Sequence, residues 1–296
     1  MSAAESMHLK LGLSEAVNTV LAIWMAEDAG FYAAEGLAVE IVNMNGGSRG
    51  AAELAAGRID AMHVGLSSVV RLNQTGGDLR VVAALANVIR FTFFSAPGVR
   101  TAADLKGGVV GVSSFGSESD VIVTLALERI GLTRDEVKLK EYGGGVRRIA
   151  ALKSGEIGAT AVNEPVASMA REQGLHVLID LVPEQIPWLF TAIVVRRGTI
   201  ESRRDALTRF VAATAQGNRR ALTDEAHAKA VLARQAGIRD PKILDNSYGD
   251  FKQLSPPQLE PTRAAAENIL KQFPDASREL ADYIDMSILD TLRRRA

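Results

Sequence analysis

The feature that most constrains the fold of this chain is an internal repeat. Residues 39–61 and 137–159 align without a gap at an offset of 98 residues, with Val, Gly-Gly, Arg, Ala, Leu, Gly, Ile and Ala recurring in register. Each copy contains a short apolar strand, a Gly-Gly turn, a helix of small residues and leucine, and a further strand. The repeat therefore predicts that one structural unit is used twice in the chain.

Within each unit, strands alternate with helices, which predicts a parallel sheet covered by helices on both faces. We therefore expect an α/β fold of two doubly wound parallel-sheet lobes, with an interlobe cleft and a helical C-terminal region. The first lobe is predicted to contain residues 1–90 and the second residues 91–190, and residues 191–296 are expected to return to the first lobe. The two connections between the lobes are placed near residues 87–96 and 181–190.

The residues after about 200 change character, because helix-like spacing of apolar residues replaces strand-like segments. We expect these helices to pack on one lobe. The predicted helices cover residues 205–222, 225–236, 257–273 and 276–292.

The charge and composition of the chain exclude several classes of protein. Its 34 basic and 35 acidic residues give a formal net charge of −1, without the basic surface that nucleic-acid binding requires. It has no cysteine, which excludes thiolate metal sites and disulfides, and its four histidines lack the spacing of metal ligands. No segment approaches the roughly 18 consecutive apolar residues of a membrane span. We expect neither a metal nor a cofactor, and no nucleic acid as a partner.

The first residues of the chain leave its compartment open. Residues 1–8 are small and polar with an acid at Glu5, and they lack the basic start and the apolar run of a secretory signal. The protein is therefore either cytoplasmic or has lost a leader peptide by cleavage.

The loops that follow the predicted strands form the expected ligand site. In open parallel sheets, ligands bind beyond the carboxyl ends of the strands, and two such edges that face each other make a cleft. The repeat pairs these loops across the cleft. Trp188 lies on the second connection between the lobes, where an aromatic side chain could cover a ligand. The residues predicted to contact the ligand are Ser14, Glu15, Asn18, Gly47, Ser48, Ser67, Ser114, Ser117, Glu118, Asn163, Glu164 and Trp188.

The serine-rich segment of residues 113–119 joins a predicted strand to the start of a helix. Its four hydroxyls, its free backbone N–H groups and the positive end of the helix dipole suit an anionic head group. Alternatively, Ser117 serves only as the helix N-cap, with Asp120 completing a pattern like a capping box. Glu118 and Asp120 argue against a purely anionic ligand.

Residues 46–50 read Gly-Gly-Ser-Arg-Gly and match the G-x-S-x-G nucleophile elbow of hydrolases. The repeat argues against a hydrolase, because residues 144–148 carry the same glycines without the serine. A tight turn alone explains the glycines, and no residue is predicted to be catalytic.

Several segments of the chain resemble those of a known family. Residues 30–40 read GFYAAEGLAVE and are similar to the G-F-Y-x-x-E-G-L-x-V signature of the nitrate, sulfonate, taurine and thiamine-precursor (NMT1-like) binding proteins of ABC transporters. Residues 54–61, 103–107 and 163–165 resemble that family's L-x-x-G-x-I-D, x-D-L-K-G and x-E-P segments. The similarity runs from about residue 9 to residue 220.

The resemblance implies a type II periplasmic-binding-protein fold whose lobes close on a small polar organic ligand, either a sulfonate or carboxylate or a nitrogen heterocycle. It also implies a monomeric, periplasmic protein that has lost its leader and catalyses no reaction. Such a protein delivers its ligand to an ABC transporter permease and meets the membrane only through that permease. The loop after the first strand lacks an arginine to pair with a sulfonate, which argues against a strongly acidic ligand.

Two other functions stay open from the sequence. The first is a cytoplasmic enzyme on the same fold, similar to menaquinone-pathway lyases, which the missing signal segment favours. The predicted pocket loops, however, contain no histidine or lysine placed as an obvious general base. The second is a stand-alone sensor that reports ligand binding to a partner protein.

Overall fold

The computed structural model describes residues 7–295 of the chain. Residues 1–6, on which the expectation about a leader peptide depends, lie outside the described residues, as does Ala296. Within residues 7–295, the strands form two five-stranded sheets with helices packed around them.

The strands of the first sheet are β1 (Met7–Leu13), β2 (Leu37–Asn43), β3 (Ala61–Val64), β4 (Leu79–Val88) and β10 (Pro187–Arg196). Their order is β2-β1-β3-β10-β4. Strand β1 pairs in parallel with β2 and β3, whereas β10 runs antiparallel to β3 and β4. Every residue of β3 is buried, as expected for a strand covered on both faces.

The strands of the second sheet are β5 (Thr92–Ser95), β6 (Val109–Val112), β7 (Lys138–Glu141), β8 (Ala159–Val162) and β9 (His176–Asp180). Their order, β7-β6-β8-β5-β9, repeats that of the first sheet with each strand replaced by its counterpart. Strand β6 is parallel to β7 and β8, and β5 is antiparallel to β8 and β9. The predicted two-lobed α/β fold class is confirmed, with one antiparallel strand in each otherwise parallel sheet.

The antiparallel strands follow from the path of the chain between the lobes. The chain leaves β4 of the first sheet and enters the second as β5, and it returns from β9 as β10. Each crossing strand enters its new sheet from the edge that faces the other lobe, so it runs against the strands already there. The alternation of strands and helices in the sequence does not reveal this direction, because no α-helix precedes β5 or β10.

The internal repeat of the sequence is also a repeat of structure. Helices α3 (Gly47–Ala55) and α7 (Gly145–Lys153) start and end 98 residues apart, and so do β3 and β8. Both helices begin with a glycine because a side chain there would meet a neighbour. A Cβ on Gly47 would lie 3.1 Å from Ser68 Oγ, and one on Gly145 would lie 3.2 Å from a valine of the following helix.

The remaining helices surround the two sheets. In the first lobe they are α1 (Leu21–Asp28), α2 (Phe31–Ala34) and α4 (Leu66–Asn73), and in the second α5 (Ala102–Leu105), α6 (Glu118–Arg129) and α8 (Val166–Glu172). After β10 the chain forms α9 (Arg197–Ser202), α10 (Arg204–Thr223), α11 (Glu225–Ala236), α12 (Pro241–Leu254), α13 (Arg263–Leu270) and α14 (Ser287–Arg293).

The C-terminal helices pack mainly on the first lobe. Helix α10 lies against α1, and Gly217 permits their close approach, since a Cβ there would lie 2.2 Å from the carbonyl oxygen of Ala22. Helix α12 extends further, because it contacts both the turn that follows β1 and α8 of the second lobe. No helix within residues 7–295 is long and apolar enough to cross a bilayer.

Two of the four predicted C-terminal helices are confirmed, since residues 205–222 and 225–236 correspond to α10 and α11. The other two predictions are wrong. The helix expected over 257–273 begins only at α13, because the chain turns at Leu259, where φ is 55°. The helix expected over 276–292 is interrupted where Val81 of β4 forms backbone hydrogen bonds with Tyr283 and Asp285.

The sequence analysis also missed α12, although its start carries a clear signal. Asp240 is the N-cap and accepts hydrogen bonds from the N–H groups of Lys242 and Ile243, and Pro241 occupies the first helical position. An Asp-Pro pair of this kind is typical of a helix start.

The lobes touch through the helices that frame the cleft. Val69 and Val70 of α4 and Ile122 and Leu125 of α6 belong to one cluster of buried apolar side chains. Both helices begin at the cleft edge of their sheets, so their first turns face each other across it.

Candidate ligand-binding cleft

The loops that leave β1, β3, β6 and β8 meet between the two sheets and enclose a space that we call the inner cavity. It contains about 460 Å³ of empty space, part of which is open to solvent. Its lining comprises Ser14, Glu15, Val17, Gly47, Val64, Gly65, Phe91, Ser113, Ser117, Glu118, Ser119, Arg148, Asn163, Phe190 and Thr191.

The inner cavity brings together six of the residues predicted to contact a ligand. Three come from the loops of the first sheet and three from those of the second, so the cavity needs both lobes. The six residues are Ser14, Glu15, Gly47, Ser117, Glu118 and Asn163.

Three serine hydroxyls form a triangle at the start of α6. Ser113 Oγ lies 2.9 Å from both Ser117 Oγ and Ser119 Oγ, which are 3.1 Å from each other. Ser117 stands at the N-cap position, but its side chain caps no N–H group of the described chain. Asp120 accepts the N–H of Gly116 at 2.7 Å instead, so the capping-box interpretation is wrong. The hydroxyls therefore present donors and acceptors to the cavity.

Glu118 joins the second lobe to the first. Its Oε1 accepts the N–H of Ser67 at 2.8 Å, and its Oε2 accepts the indole N–H of Trp188 at 2.8 Å. The carboxyl group fits because residue 65 is glycine, where a Cβ would lie 2.1 Å from Oε1. Burial raises the pKa of Glu118 from 4.5 to about 7, although the hydrogen bonds from Trp188 and Ser67 oppose this shift. The lobes are thus joined by a carboxyl group that titrates near neutral pH.

A second contact between the lobes is an ion pair. Arg148 of α7 is 2% exposed, and its Nε and Nη1 donate to the carbonyl oxygens of Gly143 and Ala161 at 3.0 and 2.5 Å. Its Nη2 lies 3.5 Å from Glu15 Oε1, and the N–H of Gly145 donates to Glu15 Oε2 at 3.2 Å. Burial lowers the pKa of Arg148, and the carboxylate of Glu15 opposes that shift. Glu15 therefore compensates a guanidinium that water does not reach.

One wall of the inner cavity is apolar and includes two phenylalanine rings. Phe91 and Phe190 pack edge to face, with their centroids 5.0 Å apart. Beside them, Asn163 Nδ2 and Thr191 Oγ1 are buried without a hydrogen-bond partner among the described residues. Because buried polar atoms are nearly always paired, these two atoms indicate where a polar group of a ligand would bind.

Ser14 and His63 form a serine–histidine pair in which burial makes the imidazole a weak base. Ser14 Oγ lies 3.3 Å from His63 Nδ1, and His63 Nε2 lies 3.0 Å from Thr19 Oγ1. Burial lowers the pKa of His63 to about 4, so the ring does not readily take a proton from Ser14 at neutral pH. A hydroxyl rather than a carboxylate orients the ring, unlike in a catalytic triad. The pair instead fixes the loop that follows β1.

The cleft holds no cluster of metal ligands. Within the part of the chain that the structure describes, no three His, Cys, Asp or Glu side chains group closely enough to hold a metal ion. The carboxyl groups that line the inner cavity, those of Glu15 and Glu118, are each paired with donors of the opposite lobe.

Two of the predicted ligand residues point away from the inner cavity, so their prediction is corrected. Asn18 is fully buried, and its Nδ2 donates to Asp250 Oδ2 on α12 at 2.8 Å. The short 3₁₀ turn that contains Asn18 directs its side chain there. Glu164 faces a separate groove beside α12, where it accepts the N–H of Ser168 at 3.2 Å and lies 3.3 Å from Arg171.

The other four predicted residues do not line the inner cavity either, and three of them connect the lobes. Ser48 Oγ donates to the carbonyl oxygen of Phe115 at 2.8 Å. Ser67 and Trp188 hold Glu118, as described above. Ser114 Oγ is buried and has no partner among residues 7–295. These four residues lie at or near the contact between the lobes, and their contact with a ligand stays a prediction.

A comparison with protein-family models identifies the family. The model described as NMT1/THI5 like matches residues 18–228, more than two thirds of the chain. The chain belongs to this family. The matched part includes the whole second lobe and the inner-cavity residues other than Ser14, Glu15 and Val17. A search of curated proteins finds no matching relative.

Solved structures show that the fold of this NMT1/THI5-like chain is that of periplasmic binding proteins. A protein of Bordetella bronchiseptica RB50 is 20% identical, with a TM-score of 0.85 and coverage of 99% of both chains. The periplasmic aliphatic sulphonate binding protein SsuA of Escherichia coli is 22% identical, with a TM-score of 0.69 and coverage of 91% of both chains. A mutant of DszB in complex with biphenyl-2-sulfinic acid is 17% identical, with a TM-score of 0.69 over 98% of this chain and 100% of that chain.

Nine of the fifteen residues that line the inner cavity are absent from the predicted ligand residues, among them Phe91, Arg148 and Thr191. Arg148 stands where the two copies of the repeat differ, since it corresponds to Gly50. A charged residue that replaces a glycine at an equivalent position of the repeated helix is a signal that would have found it. The loop after β1 lacks an arginine as predicted, but this guanidinium reaches the cavity from the opposite lobe.

Proposed function

We propose that this protein is the extracytoplasmic solute-binding subunit of an ABC importer, which captures a small polar organic ligand and releases it unchanged. The observation that carries this proposal is the inner cavity between the lobes. Hydroxyl, amide and guanidinium groups from both lobes line it beside an apolar wall, which is the typical composition of a small-molecule site.

Closure of the lobes is the second part of the proposal. Within residues 7–295 the chain crosses between the sheets at residues 89–91 and 181–186, so the lobes can rotate about these crossings by parting the contact between α4 and α6. A ligand in the inner cavity contacts both lobes only when they are shut. It therefore has the differential affinity that shifts the equilibrium between open and closed forms.

The family resemblance and the fold support the proposed compartment and partner. The signature segments resemble binding proteins of ABC transporters, and the fold is shared with a periplasmic sulphonate-binding protein. We therefore place the protein in the periplasm as a monomer, with an ABC transporter permease as the recipient of the ligand. Its ligand is a sulfonate or carboxylate or a nitrogen heterocycle.

The main alternative is an enzyme on the same fold. The fold alone does not separate the two functions, because DszB shares it and folds host unrelated activities. The contact between Ser14 and His63 favours the enzyme, whereas the pKa of about 4 at His63 favours binding without turnover.

A thermal-shift screen of sulfonates, carboxylates and pyrimidines tests the proposal. A true ligand at about a hundredfold excess over its dissociation constant should add about 2.7 kcal/mol to the free energy of unfolding. Mass spectrometry of the released ligand should then show an unchanged mass. Turnover of the ligand would establish the enzyme, and a screen without any stabilising solute would refute solute binding.

A further inference from the structure

We propose that the ligand is a small monocarboxylate whose carboxylate replaces that of Glu15 beside Arg148 and whose apolar body lies against Phe91 and Phe190. This inference rests on the proposed solute-binding function and specifies its ligand. It agrees with the sequence-based expectation against a strongly acidic ligand such as a sulfonate, and it supplies the arginine from the opposite lobe.

The position of Glu15 shows which anion the site fits. Each oxygen of its carboxylate has one donor, since Oε1 faces Arg148 Nη2 at 3.5 Å and Oε2 accepts the N–H of Gly145 at 3.2 Å. The other guanidinium nitrogens of Arg148 donate to the carbonyl oxygens of Gly143 and Ala161. Two donors thus serve two oxygens, which suits a planar carboxylate, whereas the third oxygen of a sulfonate would have no donor from this pair.

The contacts of Glu15 are also longer than those of a well-seated anion. Charge-assisted N–H···O hydrogen bonds are usually about 2.7–2.9 Å long, and both distances here exceed that range. Glu15 belongs to the loop after β1, so its reach is limited by the backbone of the first lobe. A free carboxylate has no such tether and can approach Arg148 and the start of α7 more closely.

The exchange of carboxylates is possible because the two partners differ in their access to water. Glu15 lines both the inner cavity and the open groove at its mouth, and its side chain is 20% exposed. Arg148 is 2% exposed, so its charge needs an anion beside it. When a ligand supplies that anion, Glu15 can turn into the groove and be solvated there.

The remaining lining residues limit the ligand to one negative charge. Besides Glu15 and Arg148, the inner cavity has one ionisable side chain, Glu118, among the residues that the structure describes. A second anionic group would meet a carboxyl group and no further cation. Asn163 Nδ2 and Thr191 Oγ1, which lack partners in the described chain, would instead bind a neutral polar substituent of the ligand.

Isothermal titration calorimetry with matched probes tests the proposal. The probes are benzoate and isovalerate, their carboxamides, benzenesulfonate, and the dianion phthalate. We expect at least one of the two monocarboxylates to bind, and to bind at least about tenfold more tightly than its carboxamide, benzenesulfonate or phthalate. Equal or tighter binding of an amide, a sulfonate or the dianion would overturn the proposal.

Two variants test whether Glu15 and Arg148 themselves, rather than the overall charge of the protein, control carboxylate binding. Glu15→Gln removes the competing carboxylate and should tighten monocarboxylate binding about fivefold, with no change for the carboxamide. Arg148→Gln should abolish carboxylate binding. Arg147→Gln is the matched control. Arg147 is exposed, and it lines the open groove at the mouth of the inner cavity but not the inner cavity itself. If Arg148→Gln fails to fold, as circular dichroism would show, the result for Glu15→Gln decides alone.

The outcomes distinguish this inference from the proposed function. If a neutral heterocycle or a sulfonate from the thermal-shift screen binds and neither monocarboxylate does, the ligand class is wrong and solute binding stands. If no solute of the screen or the probe set binds, both are refuted. Unchanged benzoate and isovalerate affinities in Glu15→Gln would refute the exchange of carboxylates.

Discussion

Replacing Glu118 by glutamine should remove a pH dependence of stability that this residue imposes. Its carboxyl group is buried between the lobes, and burial raises its pKa from the ordinary value of 4.5 to about 7. The folded protein therefore binds a proton between these pH values that the unfolded chain has released. The contribution of Glu118 to the free energy of unfolding is then highest below pH 4.5 and falls as the pH rises through 7.

The size of this effect follows from the two pKa values. A shift from 4.5 to about 7 corresponds to about 3 kcal/mol over the full titration. Most of this change, about 2–3 kcal/mol, falls between pH 5 and pH 8. Glutamine at this position does not titrate, so the difference in stability between the wild type and the variant should change by that amount across this interval. Glutamine also leaves one of the two donors, Ser67 N–H or Trp188 Nε1–H, without an acceptor.

Urea unfolding at pH 5, 6, 7 and 8 measures this difference directly. Glu128→Gln is a matched control, because Glu128 lies on the same helix and is exposed. The control should follow the wild type at every pH, whereas Glu118→Gln should show a flatter profile. Parallel profiles for the wild type and Glu118→Gln would refute the assignment of a raised pKa to this contact between the lobes.

Three further substitutions probe the cleft and its supports. Gly65→Ala forces away the carboxyl that bridges the lobes and should weaken ligand affinity about tenfold in calorimetric titration, whereas Gly198→Ala, which has open space, should leave it unchanged. Asp250→Ala leaves the buried Arg90 without its counter-ion and should lower the free energy of unfolding, measured with urea, by about 3–5 kcal/mol. The control Asp245→Ala, at an exposed position on the same helix, should lower it by about 0.5 kcal/mol or less. Ser117→Ala should weaken ligand affinity and cost about 1 kcal/mol in urea unfolding, since it removes one hydroxyl of the buried serine triangle; equal affinities would remove it from the site.

The repeat made the two lobes and their cleft predictable from the sequence. Glycines at equivalent turns and leucines at equivalent helix positions recur at the same offset, because these residues pack against equivalent neighbours in both copies. The direction of β5 and β10 was not predictable, since it depends on how the chain enters a sheet built from other segments. The segment around Tyr283 was mispredicted for the same reason, because its partner, Val81, is distant in sequence.

The candidate site was predictable at the level of loops and less so at the level of side chains. The loops that follow the strands do converge, and six of the predicted residues line the inner cavity. Asn18 and Glu118 show why residue type alone is insufficient. Asn18 turns toward Asp250 of a helix that the sequence analysis missed, and Glu118 is bound by donors of the other lobe. Both outcomes depend on long-range partners that spacing does not reveal.

The central claim of this account is that two lobes close on a small solute held between them. Small-angle X-ray scattering of the free and the ligand-saturated protein tests it most directly. The account predicts a smaller radius of gyration for the complex, because a ligand in the inner cavity contacts both lobes only when they are shut. An identical radius in both states, with ligand bound at one per chain, would contradict closure and favour a rigid, enzyme-like pocket.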